Sequence, residues 1–166
     1  MPDSTPPPLF DEAQAAFMQG GVSITIAACS AAAIPEQARG GGCRISPDRR
    51  RLTVFISSIQ GEQVLRCVRE HGAIAVVFSQ PSSHRTLQLK GRDAAAGLPD
   101  EGDLKRIAAY REAFAAELAP LGFEPELVRA LFAYPDSEIL ALSFTPCAAF
   151  SQTPGPRAGE PLRSGA

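Results

Sequence analysis

Apolar residues along this chain recur in two rhythms, and the switches between them mark out its elements. Val22-Ser-Ile-Thr-Ile-Ala27 alternates cleanly, with Val22, Ile24 and Ile26 on one side, the period of a half-buried strand. Leu52-Thr-Val-Phe-Ile-Ser57 is rich in β-branched and aromatic residues and predicts a strand ending at Ser57-Ser58. Ala73-Ile-Ala-Val-Val-Phe78 is an unbroken apolar run, as expected of a strand covered on both faces. Ser79 to His84 then turns the chain into Arg85-Thr-Leu-Gln-Leu-Lys90, where Leu87 and Leu89 share one face and Thr86, Gln88 and Lys90 the other. Glu138 to Thr145 predicts a further strand, which Pro146 interrupts before Ala148-Ala-Phe150.

Helical spacing fills the intervals. Phe10, Ala13, Phe17 and Met18 predict a short helix over Asp11 to Gln19, ended by Gly20-Gly21. Val64, Leu65 and Val68 share one face of a helix opening at Ser58, with Ser57 and Gln60 spaced as a capping box and His71-Gly72 as the stop. Pro99-Asp100 begins a long helix with Leu104, Ile107, Ala108, Phe114, Ala115 and Leu118 on one face, closed by Pro120. Glu124-Pro-Glu126 begins another, with Phe123 stapled against Val128 and with Leu127, Leu131 and Tyr134 inward. Cys29 to Ile34 is alanine-rich, but Pro35 follows, and a hairpin into a second strand over Glu36 to Ile45 is the better reading. Gly40 to Gly42 interrupt that strand, either as a barrel corner or to admit a flat ligand. They form no phosphate loop, because the Gly-Lys-Ser/Thr ending is missing.

Strands at both ends with helices inserted between them predict an α+β protein, mainly β and antiparallel, with peripheral helices. A chain of 166 residues is one domain: a flexible arm over 1–9, a folded domain over 10–152 and an extended or flexible tail over 153–166. A net charge of -2 gives no bias toward nucleic acid or membrane, and no apolar run approaches the roughly 18 residues of a membrane span. No leader segment is evident, so a cytoplasmic protein is expected. Cys29, Cys43, Cys67 and Cys147 lie far apart, and there are only two histidines, so no metal site is expected. No Gly-x-Ser-x-Gly elbow occurs either, and no catalytic side chain is assigned.

The order of these segments resembles the pyridoxamine 5'-phosphate oxidase-like, FMN-binding split-barrel family. The likeness is carried by Phe55-Ile-Ser-Ser58 leading into a helix, Ala75-Val-Val-Phe78 and Arg85-Thr-Leu-Gln-Leu-Lys-Gly91. Pro81 to Gln88 and the tail Gln152-Thr-Pro-Gly-Pro-Arg-Ala-Gly159 look like a particular flavoprotein subset of that family. The resemblance implies a six-stranded antiparallel split β-barrel, assembled as a homodimer that holds FMN in a cleft at the subunit interface. It implies an oxidoreductase acting on a small molecule through that FMN. Two alternatives stay open: a non-catalytic flavin or haem binder on the same fold, and a fold used without a cofactor for dimerisation or partner contact.

The same resemblance supplies the candidate cofactor-binding residues. Ser57 falls where the family has a hydroxyl on the flavin phosphate, with Ser58, Gln60 and Gln63 around it. A helix opening there would offer unpaired N–H groups to an anion, although serines at such a place can also serve only as caps. Arg85-Thr86 falls where the oxidases open a strand with Arg-Gln; Gln88 follows, and Gln37 and Arg39 sit on the second strand. His84 could donate to a flavin carbonyl or a substrate acid, or be a solvated turn residue. The chain departs from the family in having Glu62-Gln63-Val64 in place of an Arg-Lys pair, so replacement cations must be sought in Arg39, Arg44, His84 and Arg85. It has no tryptophan to match that of the oxidases, and vitamin B6 oxidation is not assigned.

Overall fold

A computed structural model describes residues 6–162; the first five residues of the expected arm and the last four of the expected tail lie outside it. In chain order the elements are α1 (Glu12–Met18), β1 (Ser23–Cys29), β2 (Pro35–Arg39), β3 (Cys43–Ile45), β4 (Leu52–Ser57), α2 (Glu62–His71) and β5 (Ile74–Ser79). They continue as β6 (Thr86–Gly91), β7 (Ala95–Gly97), α3 (Asp103–Leu118), α4 (Pro125–Ala130), β8 (Ile139–Phe144) and β9 (Ala148–Ser151). Hydrogen bonding sorts the strands into two antiparallel sheets, β2-β1-β5-β6-β9 and β3-β4-β8-β7. Among the described residues the fold is therefore mixed α+β, with nine strands in two sheets rather than six in one closed ladder. The β7 strand was not anticipated: its three small residues carry no pattern of their own and are held by pairing with β8.

The expected second strand is divided at its glycines, and the division joins the two sheets. Gly40 N–H donates to Ile24 O on β1, and Gly41 N–H donates to Phe55 O on β4, so the backbone leaves one sheet and enters the other. A Cβ on Gly40 would stand 2.6 Å from Ile24 Cγ2, and Gly42 has φ +120 against the ring of Tyr110. The three glycines thus form a corner that larger residues could not make.

Alternation along the strands builds the core. Ile24, Ile26, Val76, Phe78 and Leu89 from the first sheet meet Leu52, Val54, Ile56, Leu142 and Phe144 from the second, all buried. Each such side chain contributes roughly 1.5–3 kcal/mol on leaving water. α1, started by a capping box between Asp11 and Gln14, adds Met18. The β5 strand differs from expectation. Ile74, Val76 and Phe78 are buried, but Ala75 and Val77 are only half-buried, so the chain by itself covers one face and leaves the other open.

Three helical expectations are corrected. α2 begins at Glu62 with Gly61 as its N-cap, because the Ser57 hydroxyl accepts from Gln60 N–H and closes a separate turn first. α3 buries Ile107, Tyr110, Phe114 and Ala115, whereas Leu104 faces water; Tyr110 is drawn inward by donating its hydroxyl to Val22 O at 2.8 Å. α4 starts on Pro125 as expected, but Val128 and Phe132 are the buried pair, and Leu127 (60%), Leu131 (44%) and Phe123 (49%) are exposed. Residues 153–162 do not trail away. Gly159 N–H donates to Ser151 O and Leu162 N–H to Ala149 O, folding the segment back along β9. Among the described residues no helix is long and apolar enough to cross a membrane.

Candidate functional site

The sequence-predicted residues fall into three groups. Gln37, Arg39 and Gln88 stand on the outward face of the five-stranded sheet: register places Arg39 opposite Thr25, Thr25 opposite Val77, and Val77 opposite Gln88. With neighbouring strands about 4.8 Å apart, Arg39 and Gln88 are roughly 14 Å from each other along this row. Beside and between them lie half-buried Thr25, Ala27, Ala75 and Val77, a weakly polar floor left open among the described residues. Gln88 accepts from Gln152 Nε2 at 3.3 Å, and Arg39 Nη1 donates to Ser23 Oγ at 3.4 Å.

Ser57, Ser58, Gln60 and Gln63 form the second group, at the turn between β4 and α2. Ser57 is buried, and its hydroxyl donates to Glu138 Oε2 at 3.3 Å while accepting from Gln60 N–H at 3.2 Å. Ser58 N–H donates to Glu138 O at 2.7 Å. The donors that remain are the first-turn N–H groups of Gln63 and Val64, for which the helix supplies no acceptor, and the exposed side chains of Gln60 and Gln63. Gly61 must be glycine, since a Cβ there would stand 2.2 Å from Ile56 Cδ1 and 2.9 Å from Ser57 O.

This turn and Arg39 belong to one corner. Arg39 precedes Gly40, and Gly41 N–H is bonded to Phe55 O two residues before Ser57. Across the same corner stand Tyr134, expected inward, and Arg111, which no pattern along the chain singles out. Tyr134 Oη would lie 2.6 Å from a Cβ on Gly41, and the Arg111 guanidinium sits over the Tyr134 ring at 5.1 Å. Arg111 Nε and Nη2 are buried without a hydrogen-bond partner. Burial pushes the Tyr134 phenol above its ordinary range, against the opposing pull of Arg111. Arg111 lies 23 residues from Tyr134 and 70 from Gly41, so only the packing of α3 could have disclosed it.

His84, Arg85 and Thr86 make the third group, in the hairpin joining β5 to β6. His84 is exposed with φ +60, and its N–H donates to Gln80 O, so it closes the turn in the left-handed region. The Thr86 hydroxyl donates to His84 O and shares a 2.8 Å bond with Ser79 Oγ, which commits it to the hairpin. The Arg85 guanidinium lies over Phe17 of α1 at 4.3 Å and lines a cavity with the 153–157 segment, in which the Ser57 turn takes no part. Arg44 is not a free cation either: it is bound to Asp100 at 2.8 Å and to buried Asp103 at 2.9 Å. Among the described residues no group of three His, Cys, Asp or Glu side chains could hold a metal ion.

No family profile matches the chain, and no curated protein matches it in sequence. Solved structures do match it. An F420 reductase is 14% identical over 81% of this chain and 93% of its own, with a TM-score of 0.53. HupZ of Group A Streptococcus is 14% identical over 89% and 98%, with a TM-score of 0.52. A protein of Lactobacillus delbrueckii named as a candidate pyridoxamine 5'-phosphate oxidase is 13% identical over 84% and 91%, with a TM-score of 0.50. At these identities the likeness is one of fold, and the fold is the one expected from Phe55–Ser58, Ala75–Phe78 and Arg85–Gly91, that of pyridoxamine 5'-phosphate oxidase-like proteins.

Proposed function

We propose that the protein is an FMN-binding flavoprotein, an oxidoreductase acting on a small molecule, built as a homodimer with the cofactor at the subunit interface. Were β2 with β3 and β6 with β7 taken as single bent strands, the strand number would be that of a six-stranded barrel with β9 added at an edge. The observation that carries the reading is the corner at Gly40–Gly42. Arg39 leads into it, Phe55 of β4, two residues before the Ser57 turn, pairs with it, and Tyr134 beneath Arg111 stands against it, so that Arg39, the Gln63 and Val64 N–H groups and, after a side-chain shift, Arg111 would supply donors of the kind a phosphate needs. The cations that seemed missing from the start of α2 would then come from Arg39 and from α3.

The chain's own part in such chemistry is to bind and orient. Ser58, Gln60 and Gln63 would flank the phosphate, Ser57 and Glu138 would hold their turn in place, and Gln37, Gln88 and Thr86 would border the sheet face on which a flat ring could lie. His84 and Arg85, remote from this corner in one protomer, would reach the cofactor only from a second copy. FMN, when bound, supplies the hydride chemistry. The open floor of Ala27, Ala75 and Val77 suits a second copy, which would shut water from the ring. The carboxylates of Glu62 and Glu138 beside the phosphate position favour a second reading, a weak or non-catalytic flavin or haem binder.

A fluorescence titration with FMN tests the first reading. Arg111→Met, which keeps the packing over Tyr134, and Arg39→Ala should each weaken binding roughly 10- to 100-fold, the loss of one charge-assisted contact. Absence of FMN binding by the unmodified protein, or affinities unchanged in both variants, refutes it. A Soret band after haem addition, with no flavin binding, would favour the second reading.

A further inference from the structure

The tail segment from Gln152 to Gly159 is not used by the flavin reading, yet it is held to the sheet by several hydrogen bonds. Gln152 N–H donates to Thr86 O at 2.8 Å, Thr153 Oγ1 accepts from Thr86 N–H at 3.0 Å, and Gly159 N–H donates to Ser151 O at 2.7 Å. Pro154 and Pro156 fix the backbone between these anchors. The loop so formed arches over the start of β6 and encloses, with α1, a cavity of about 390 Å³.

Arg85 and Arg157 line this cavity, together with Gln14 and Ser151; Leu87 and Leu162 supply apolar wall. None of its ten lining residues is acidic. Arg85 and Arg157 form no ion pair with any carboxylate among the described residues, whereas Arg44, Arg49, Arg51 and Arg129 do. The Arg85 guanidinium lies over the Phe17 ring, 4.3 Å from its centroid, a cation–π contact that tethers it beside the cavity. A rigid cavity with two unpaired guanidiniums, neutral donors and an apolar wall is suited to a small oxyanion with a short apolar body.

We propose that this cavity is a second binding site, for a small molecule bearing a phosphate or carboxylate group, with Arg85 and Arg157 clamping the oxyanion. It goes beyond the flavin reading, and it gives Arg85 a role within its own protomer.

Isothermal calorimetry on the full chain, with inorganic phosphate and with succinate as separate probes, tests the proposal and tells the two oxyanion sources apart. At least one probe should bind. Arg157→Gln should weaken it roughly tenfold or more, and Arg157→Lys should recover part of the loss because it keeps the charge without the fork. Far-UV circular dichroism checks that each variant is folded; Arg157 is exposed and its replacement leaves the core untouched. Titration with FMN in parallel separates the two readings, since Arg157→Gln should leave flavin affinity as it was. Failure of both probes to bind the unmodified protein overturns the proposal, as does binding unchanged in folded Arg157→Gln, or a loss of flavin affinity equal to the loss of oxyanion affinity, which would merge the two sites.

Discussion

Removing the Arg44 guanidinium should destabilise the protein more than neutralising its buried partner, and the structure says why. The Asp103 carboxylate is 2% exposed and accepts from Arg44 Nε at 2.9 Å, Arg44 Nη2 at 3.3 Å and Asp100 N–H at 2.7 Å. Arg44, in contrast, is 32% exposed and also holds Asp100 at 2.8 Å. In Arg44→Met the carboxylate stays buried with only Asp100 N–H and Arg106, 4.0 Å away, to offset its lost hydration. Breaking a buried pair in this way costs about 3–5 kcal/mol, and the remaining partners place this case near 3. In Asp103→Asn the guanidinium can turn to water and to Asp100, and the loss is about 1–2 kcal/mol, part of it the favourable charge at the N-terminus of α3. Urea unfolding followed by circular dichroism measures both; with a slope of roughly 2 kcal/mol per molar, Arg44→Met should lower the midpoint by about 1.5 M. An Asp103→Asn variant as destabilised as Arg44→Met would refute the reasoning. So would a loss of flavin affinity in Arg44→Met at an unchanged midpoint, which would make Arg44 a cofactor ligand rather than the clamp between β3 and α3.

Reaction with a chromogenic disulfide reagent should titrate two thiols promptly, those of exposed Cys29 and Cys147, and the other two only in denaturant; burial pushes the Cys43 thiol up to about 12 and raises Cys67 as well, so four fast thiols would contradict the packing. Partial burial works to raise the Asp93 carboxyl, but the Thr145 N–H bond at 2.8 Å and Arg51 outweigh it and hold it below the usual range. Its contribution is therefore present above the ordinary carboxylate pKa of about 3.9 and lost as pH falls through the lowered folded value. Thermal melts between pH 6 and pH 3 should show a shallower acid decline in Asp93→Asn than in the unmodified chain, and equal slopes would exclude the linkage. If the proposed dimer forms through the open sheet face, Val77→Lys there should convert it to a monomer without loss of secondary structure; an unaltered sedimentation coefficient would refute that interface.

Strand positions were legible because alternation is a local property. Leu52–Ser57 was read with its observed bounds, and the shared face of Thr86, Gln88 and Lys90 follows from the pleat alone. Helix faces were less so. Leu127, Val128, Leu131 and Phe132 contain two stripes at helical spacing, and only packing against α3 selects Val128 and Phe132. Likewise Leu104 fits the apolar face of α3 as well as Tyr110 does, until the Tyr110 hydroxyl finds Val22 O. The candidate site shows the same limit. Residue types at the start of α2 suggested a capped helix with serine donors, but the carboxylate that engages Ser57 is Glu138, 81 residues on, and no local signal could announce it.

The return of residues 151–162 upon β9 also bears on how the folded chain behaves at high concentration. A five-stranded sheet has two borders, and each is a template onto which another chain could add a strand. On one border, Leu162 and Glu160 occupy backbone groups of Ala149 and Ser151, and Pro161 pairs with Phe150 where a stranger's strand would otherwise begin. The other border is β2, five residues long, opened by Pro35 and studded with Glu36, Gln37 and Arg39. A chain cut short after Ser151 would bare a fresh edge beside Phe150 and should clump where the intact chain stays dispersed.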